Sequence, residues 1–493
     1  MNFYQLQDKD VSYIGRICLT IFLCLLHVFT VNFPVIAALI SIIEFSICLI
    51  YLIKKRVEDF LLILMLFSIS SFDVSSFVSG NSEFVAYSIF MLPLVKGYPF
   101  FILLLIPLLM IYKKDKFRWI NKIKHQGKNL FFLLKFAILM IPIGGITGFF
   151  SILINDNDII NTGNIRYFFL DFLKLSIYSL LVIYFSYCVV QKDTYIRFKR
   201  MMFSILVGVI FSAFISIIIG KRGYYGDEEI VLMPLVFFFS PLIILFFFYK
   251  EYRKRLLLFI CSVLALWLQL TTSNALGGKS WLALIYIIFS IVIILNQRKK
   301  KLVLLSIFVF FVPFLIGLGS LFETQKNMDK LSSTKLIQAT MLISVFDLDW
   351  YENMPLSPKY RIEEFFNIAA EYIKKPYYAL LGKGFGGSIK DHRNTMGFYN
   401  DAAFSPDQYQ NGTFILMHEA FNVLFLKFGL WGLFCFFLCI RRGIRCFFLT
   451  PWVIIGVLWL FLFWGYSFNL AFFGIPSLVL GFYESNKFCF NEK

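Results

Sequence analysis

The sequence predicts an all-α fold: a polytopic membrane bundle of about 14 transmembrane helices, with one large outer loop that carries an amphipathic helix. Of the 493 residues, 59% are hydrophobic and only 16% are charged, and a water-soluble domain could not bury that much apolar surface. Apolar runs long enough to cross a bilayer core of about 30 Å recur from one end of the chain to the other.

The apolar runs divide the chain into three parts. Residues 1–322 and 413–493 are predicted to hold transmembrane helices, and residues 323–412 form the large periplasmic or extracellular loop between them. The runs lie at about residues 12–31, 34–53, 59–79, 97–112, 130–154, 167–190, 203–220, 234–249, 256–271, 281–296, 302–322, 413–440, 447–466 and 468–483.

Blocks of Lys and Arg between the runs predict the orientation. Counted along the runs, all of these blocks fall on one side of the membrane, and the positive-inside rule makes that side cytoplasmic, with both termini. The large loop then faces outward. The blocks are at residues 54–56, 113–128, 197–200, 253–255, 298–301 and 441–445.

The composition argues against several classes of protein. The 19% aromatic content suits lipid-facing and interfacial positions, so neither it nor the +17 net charge indicates a nucleic-acid partner. The nine cysteines lie in or beside apolar runs, where they are expected to pack as small residues and not to form disulfides. The outer loops lack carboxylate or histidine clusters at metal-ligand spacing, so neither a metal nor another cofactor is expected.

The large loop contains a helical pattern. Ile362, Phe365, Phe366, Ala369, Ala370 and Ile373 repeat at helical spacing, with Glu363, Glu364, Asn367, Glu371 and Lys374 on the other face. This predicts an amphipathic helix that lies on the membrane or on the helix bundle and ends before Pro376. The glycine-rich stretch 382–387 that follows predicts a turn whose backbone could approach a ligand closely.

Charged residues within apolar runs require partners or a function, because each is costly in the bilayer. Asp171 and Lys174 are three residues apart, so they share a helix face and are predicted to neutralise each other. Glu44 and Lys427 have no such neighbour. Each could place its charge at a nearby helix end, or could have a functional role.

The candidate site lies on the outer side. Arg222, Lys279, Arg361 and Lys383 are cations away from the basic cytoplasmic loops, and a pyrophosphate bound between helices would explain them. The alternative is a set of solvated loop charges. His418 begins the helix after the loop, where its imidazole could accept a hydroxyl proton; the alternative is a histidine hydrogen-bonded in the bundle core.

Three stretches resemble one family. The segment 418–432, His-Glu-Ala-Phe-Asn-Val-Leu-Phe-Leu-Lys-Phe-Gly-Leu-Trp-Gly, resembles the His-Asn-x-x-Leu…Gly-x-x-Gly segment of the O-antigen polymerase and ligase superfamily. Arg361, Pro376 and the stretch 382–387 are similar to the Arg…Pro…Gly-x-Gly pattern of its large periplasmic loop. Residues 273–283 resemble its Ser-Arg-Gly turn. Two departures are Glu419, where the family commonly has Asn, and Lys279, where it commonly has Arg.

The resemblance implies an O-antigen polymerase: a metal-independent glycosyltransferase of the bacterial inner membrane with its active site on the periplasmic face. It would join repeat units carried on undecaprenyl pyrophosphate into O-antigen or a related surface polysaccharide. Arg361 and His418 would be catalytic, and Lys279, Arg222, Lys383 and Glu419 would bind pyrophosphate or glycan. Its partners would be the lipid-linked glycan, membrane lipid and a chain-length regulator protein.

Other functions remain open at this point. An O-antigen ligase, which moves the finished glycan onto lipid A core, carries nearly the same motifs. A polysaccharide flippase would predict two similar halves and a charged central cavity, and the sequence shows neither. A general solute transporter or pore would explain the charges in the apolar runs, but it would leave the ordered motifs as coincidence.

Overall fold

The computed structural model describes most of the predicted bundle. The described residues are 10–30, 33–70, 88–90, 92–95, 98–114, 124, 128–154, 165–189, 192–220, 222–225, 228–232, 234, 239–249, 251–271, 351, 356–396, 406–415, 417, 419–447, 450–463 and 472–491. The predicted helices at 281–296 and 302–322 lie outside these ranges, as does the first part of the large loop.

Helices dominate the described residues, as predicted. They are α1 (Asp10–Thr30), α2 (Pro34–Ile53), α3 (Val57–Ser70), α4 (Leu105–Lys114), α5 (Lys128–Leu153), α6 (Ile165–Val189), α7 (Lys192–Ile219), α8 (Phe239–Phe248), α9 (Tyr252–Thr271), α10 (Leu356–Lys374), α11 (Tyr377–Leu381), α12 (Pro406–Asn411), α13 (Ala420–Phe447), α14 (Pro451–Phe463) and α15 (Gly474–Asn491). A 3-10 helix, Phe100–Leu104, precedes α4.

Six of the described helices are long and apolar enough to cross a membrane. The candidate spans are Tyr13–Thr30, Pro34–Ile53, Lys128–Leu153, Tyr167–Val189, Asp193–Ile219 and Ala420–Gly443. The described chain is thus all-α and has the helices of a multi-pass membrane protein, while the count of about 14 stays a prediction.

Three short antiparallel strand pairs interrupt the helical pattern of the described residues. They pair β1 (Pro93–Val95) with β2 (Tyr98–Pro99), β3 (Arg222–Tyr225) with β4 (Glu228–Val231), and β5 (Ile389–Lys390) with β6 (Thr413–Phe414). The last pair corrects one boundary. The apolar run that begins at residue 413 starts as a strand because Thr413 and Phe414 pair with the end of the glycine-rich turn, and the helix begins only at Ala420.

The described contacts divide the chain into two compact units. The first unit comprises residues 1–37, 70–86 and 201–359, and the second comprises residues 38–69, 87–200 and 360–493. In the first unit, Gly208 of α7 packs against Thr20 of α1, and the ring of Phe214 contacts Trp267 of α9. Small residues allow such close helix packing in membranes.

The second unit is built around α13. This helix packs on α5, α11, α14 and α15, and α6 packs on α5 and α15. Basic loops meet at one end of the unit: Arg56 and Arg197 both pair with Asp59, and Lys199 pairs with Glu484 at 2.8 Å. The opposite end of α13 receives the large loop. Two of the predicted cytoplasmic blocks therefore lie at the same end of this unit; which side of a membrane that end faces stays a prediction.

Candidate functional site

The predicted amphipathic helix is present as α10. Its polar face is buried: Glu363, Glu364, Asn367 and Glu371 are buried, whereas Phe366 is exposed and Ile373 is 80% exposed. Periodicity predicts the helix but not the partners of this polar face, which come from α13, from the glycine-rich turn and from the loop after it.

Arg361 lies in the second turn of α10, beside the start of α13. Its Nε is 2.8 Å from Oε1 of Glu419, the residue before α13, and both side chains are partly exposed. Asn422 fixes this arrangement by donating hydrogen bonds from Nδ2 to the Arg361 carbonyl at 2.8 Å and to Oε2 of Glu364 at 2.9 Å. The predicted catalytic arginine and the predicted binding residue Glu419 are therefore neighbours.

A second buried carboxylate joins α10 to the loop that follows the glycine-rich turn. Oε2 of Glu363 accepts hydrogen bonds from Nε of Arg393 at 3.0 Å and from Oγ1 of Thr395 at 2.8 Å. The side-chain oxygen of Asn367 accepts from the backbone nitrogen of Arg393 at 3.2 Å. A buried carboxylate needs such partners, so this cluster holds the loop in place.

Glu371 anchors the predicted phosphate ligand Lys383. The ammonium of Lys383 lies 2.7 Å from Oε1 of Glu371 and donates to the Ser388 carbonyl at 2.9 Å, and the side chain is buried. His392 contacts the other oxygen of Glu371. Burial tends to raise the pKa of Glu371, but Lys383, His392 and Lys375 outweigh it and hold that pKa at about 2. These contacts give Lys383 a structural role, and phosphate binding by it stays a prediction.

The glycine-rich turn packs closely against protein backbone, whereas the sequence predicts that its backbone could approach a ligand. Gly384 has φ of +72°, and a Cβ there would lie 1.9 Å from the backbone nitrogen of Gly148 in α5. Gly429 kinks α13 with φ of +59°, and a Cβ there would lie 2.6 Å from the Ala379 carbonyl of α11. Only glycine allows this conformation and this approach together.

Asp171 binds the same turn. Its Oδ2 lies 2.8 Å from the ammonium of Lys427 and accepts a hydrogen bond from the backbone nitrogen of Gly386 at 2.8 Å. Lys427 also donates to the Gly387 carbonyl at 2.9 Å. Asp171 thus has an ion-pair partner in Lys427 that the three-residue spacing did not predict, while it also attracts Lys174 electrostatically, as that spacing predicted. The contact with Asp171 explains the otherwise isolated Lys427.

The other predicted site residues are not brought into this cluster by the described residues. His418 and Lys279 lie outside the described ranges, so their roles stay predictions. Arg222 lies in strand β3 of the first unit, where its backbone pairs with Val231. Arg361 and Glu419 are therefore the predicted site residues that the described chain brings together, at the N-terminal end of α13.

The arrangement has a definite chemical capacity. An arginine side chain carries five N–H donors, so pairing Nε with Glu419 leaves Arg361 able to bind an anion as well. Partial exposure makes this guanidinium reachable, whereas the buried Lys383 and Lys427 are occupied. A carboxylate beside it can orient the guanidinium or compete with an anionic ligand for it.

Sequence reasoning missed the residues that hold this site together. Asn422 lies within the segment 418–432, and neither its role nor the partners of the acidic face of α10 follow from the sequence pattern. One signal was present: three carboxylates and an amide share a helix face in a chain of net charge +17, which suggests buried counter-charges. The unassigned residues are Glu363, Glu364, Asn367, Glu371, His392, Arg393 and Asn422.

Comparison of the chain with protein-family models, with curated proteins and with solved structures gives no match in any of the three.

Proposed function

We propose that this protein is a glycosyltransferase that polymerises repeat units carried on undecaprenyl pyrophosphate into O-antigen or a related surface polysaccharide. The reaction takes place at the outer face of the bacterial inner membrane. Arg361 binds the pyrophosphate, Glu419 positions Arg361, and His418 serves the attacking sugar hydroxyl. No metal takes part.

One observation carries the proposal. The loop motif around Arg361, the glycine-rich turn and the segment from residue 418 onward are far apart in sequence, yet their described residues meet. Arg361 pairs with Glu419 at 2.8 Å, and the backbone nitrogen of Lys383 donates to the Leu426 carbonyl at 2.9 Å. This packing of two of the motifs against each other supports the proposal.

Arg361 suits the departing group. When the acceptor hydroxyl attacks the anomeric carbon, the bond from that carbon to the pyrophosphate oxygen breaks and negative charge collects on the leaving group. A planar guanidinium can bind two phosphate oxygens at once, and here Asn422 holds its backbone while Glu419 orients its side chain. Such preorganisation favours the transition state because no reorganisation is needed during the reaction.

The attacking hydroxyl must lose its proton to a base. We assign this role to His418, with its neighbour Glu419 as the residue that keeps Arg361 in position until substrate arrives. When substrate binds, the pyrophosphate either shares the Arg361 guanidinium with the Glu419 carboxylate or displaces that carboxylate from it. An imidazole with a pKa near 6.5 suits this proton transfer at neutral pH.

Deletion of the gene, followed by gel analysis of surface glycan, tests the proposal. Loss of a polymerase leaves acceptors that carry a single repeat unit, and the ladder of longer chains disappears. Loss of a ligase would instead leave no glycan on the acceptor, and loss of a flippase would leave lipid-linked units on the inner leaflet. An unchanged ladder would reject a role in this pathway.

A further inference from the structure

Part of the large outer loop lies beside the middle of membrane-crossing helices. The candidate span in α13 runs from Ala420 to Gly443, so its midpoint falls between residues 431 and 432. Gly429, which contacts α11, is therefore two to three residues from that midpoint, or about 4 Å at 1.5 Å per residue. Half of a bilayer core is about 15 Å, so α11 lies well within it.

Contacts with two other spans place the glycine-rich turn at a similar depth. The backbone nitrogen of Phe385 donates to the Gly144 carbonyl at 2.9 Å, and Gly144 is about four residues, or about 5 Å, from the midpoint of the span Lys128–Leu153. Asp171, which accepts from Gly386, is seven residues, or about 10 Å, from the midpoint of the span Tyr167–Val189. Contacts of the turn with Gly148 and Ser151 lie about 11 Å and about 16 Å from the midpoint of the same span, Lys128–Leu153, so the turn extends from near the middle of the bilayer core to one edge of it.

The backbone of this turn meets the condition for irregular chain at that depth. Non-helical backbone is tolerated in the bilayer core only where protein buries it and satisfies its polar groups. Residues 382–389 are all buried. Backbone nitrogens from Gly382 to Gly387 donate to Tyr378, Leu426, Lys427, Gly144, Asp171 and Gly384, and the carbonyls of Lys383, Gly387 and Ser388 accept from Ser151, Lys427 and Lys383.

The outer edge of the same segment is apolar. Ile373 near the end of α10 is 80% exposed, and Tyr377 and Leu380 of α11 are 61% and 62% exposed. This edge continues the exposed stripe of α13 formed by Leu430, Phe434 and Phe437, because the backbone of Leu380 lies against Gly429. Exposed apolar side chains at mid-membrane depth require hydrocarbon around them.

We infer that residues 377–388 form a re-entrant element whose apolar edge, from Ile373 to Leu380, contacts the acyl chains of the bilayer. The large loop is therefore not wholly in water. Helix α10 runs along α13 from Arg361, and α11 and the glycine-rich turn are inserted among the spans. Lys374, the last residue of α10, contacts His392, and Lys375 after it pairs with Glu371. This inference is independent of the proposed enzymatic activity.

Photocrosslinking of the full-length protein tests the inference. Benzoylphenylalanine is introduced at Leu380, at Phe434 as the lipid-facing control and at Lys390 as the exposed control outside the element. The purified variants are placed in vesicles of phosphatidylethanolamine and phosphatidylglycerol without prenyl lipid, and they are irradiated. Mass spectrometry should find phospholipid adducts at positions 380 and 434 in yields within about threefold of each other, and at least tenfold less at position 390.

Several outcomes would overturn the inference. The first is the absence of a phospholipid adduct at position 380 while position 434 is labelled. The second is a crosslinked dimer as the main product at position 380. The third is that adducts at position 380 form only in bacterial membranes, which contain prenyl lipid, and not in the vesicles. If the position 380 variant does not accumulate, benzoylphenylalanine at Tyr377 replaces one aromatic side chain by another on the same edge, and the same criteria apply.

Discussion

Gly384 and Gly148 approach so closely that a Cβ on Gly384 would lie 1.9 Å from the backbone nitrogen of Gly148. This contact fixes the glycine-rich turn against α5, and the ring of Phe385 beside it contacts Phe168 and Phe428. The same glycine-rich turn contains Lys383, which anchors the C-terminal half of α10 through its ion pair with Glu371. The position of the loop helix therefore depends on backbone contacts at small residues.

A matched pair of glycine variants on α5 tests this dependence. A Cβ at Gly148 would meet the backbone N and O of Phe385 at 2.6 Å, whereas a Cβ at Gly145 would meet only the Phe385 ring at 3.9 Å. We expect Gly148→Ala to lower the free energy of unfolding by about 1–3 kcal/mol and Gly145→Ala to be neutral or slightly stabilising. Thermal unfolding of the purified protein in detergent measures both, and equal midpoints would contradict the packing described.

Lys383 should contribute more to the stability of the protein than Lys375, which pairs with the same Glu371 carboxylate. Lys383→Met leaves the buried Glu371 carboxylate without its ammonium partner and should lower the free energy of unfolding by about 3–5 kcal/mol. The remaining contact of Glu371 with His392 should keep the loss towards the lower end of that range. Lys375 is partly exposed and 3.3 Å from Glu371, so Lys375→Met should cost less than about 1 kcal/mol. The measurement is the unfolding midpoint of each variant; similar losses from the two lysines would show that the Lys383 contact has no special weight.

Glu371 gives stability a defined dependence on pH. Its pKa is about 2 in the folded protein against an ordinary 4.5, so the carboxylate contributes fully above pH 4.5, and the contribution is lost as pH falls towards 2. The shift corresponds to roughly 3 kcal/mol at most. Glu371→Gln should therefore be less stable than the native protein at pH 6, and the gap should narrow towards pH 3. A gap that stays constant over this range would reject the assignment.

The sequence was informative where one chemical property decided the structure. Run length and hydropathy located most described helices, and the periodicity from Ile362 to Ile373, with Pro376, located α10. Which face of α10 is buried could not be read from periodicity, because the partners of its carboxylates, Lys383 and Arg393, come from a later turn. The pairing of Asp171 with Lys427 likewise depends on tertiary packing, which single-helix spacing does not contain.

Arg361 should be essential to polymerisation, and a lysine should not replace it. A planar guanidinium can bind two phosphate oxygens at once, which an ammonium cannot, so Arg361→Lys should lose most chain elongation and Arg361→Ala more. Lys359→Ala, which removes a charge two residues away on the same helix, is the control and should retain the ladder. The readout is the surface-glycan ladder at equal protein level; a normal ladder from Arg361→Ala would make this residue a simple loop charge.

Polymerisation by the purified protein is the most direct measurement. Lipid-linked repeat units extracted from the deletion strain are added to vesicles that contain only the native protein, Arg361→Ala or His418→Ala, and the products are resolved by length. The native protein should convert single units into a ladder with release of undecaprenyl pyrophosphate and without added metal. His418→Ala should bind the same lipid but turn over roughly 10²–10⁴-fold more slowly. Absence of any chain longer than one unit with folded native protein, or equal turnover by all three proteins, would contradict the proposed function.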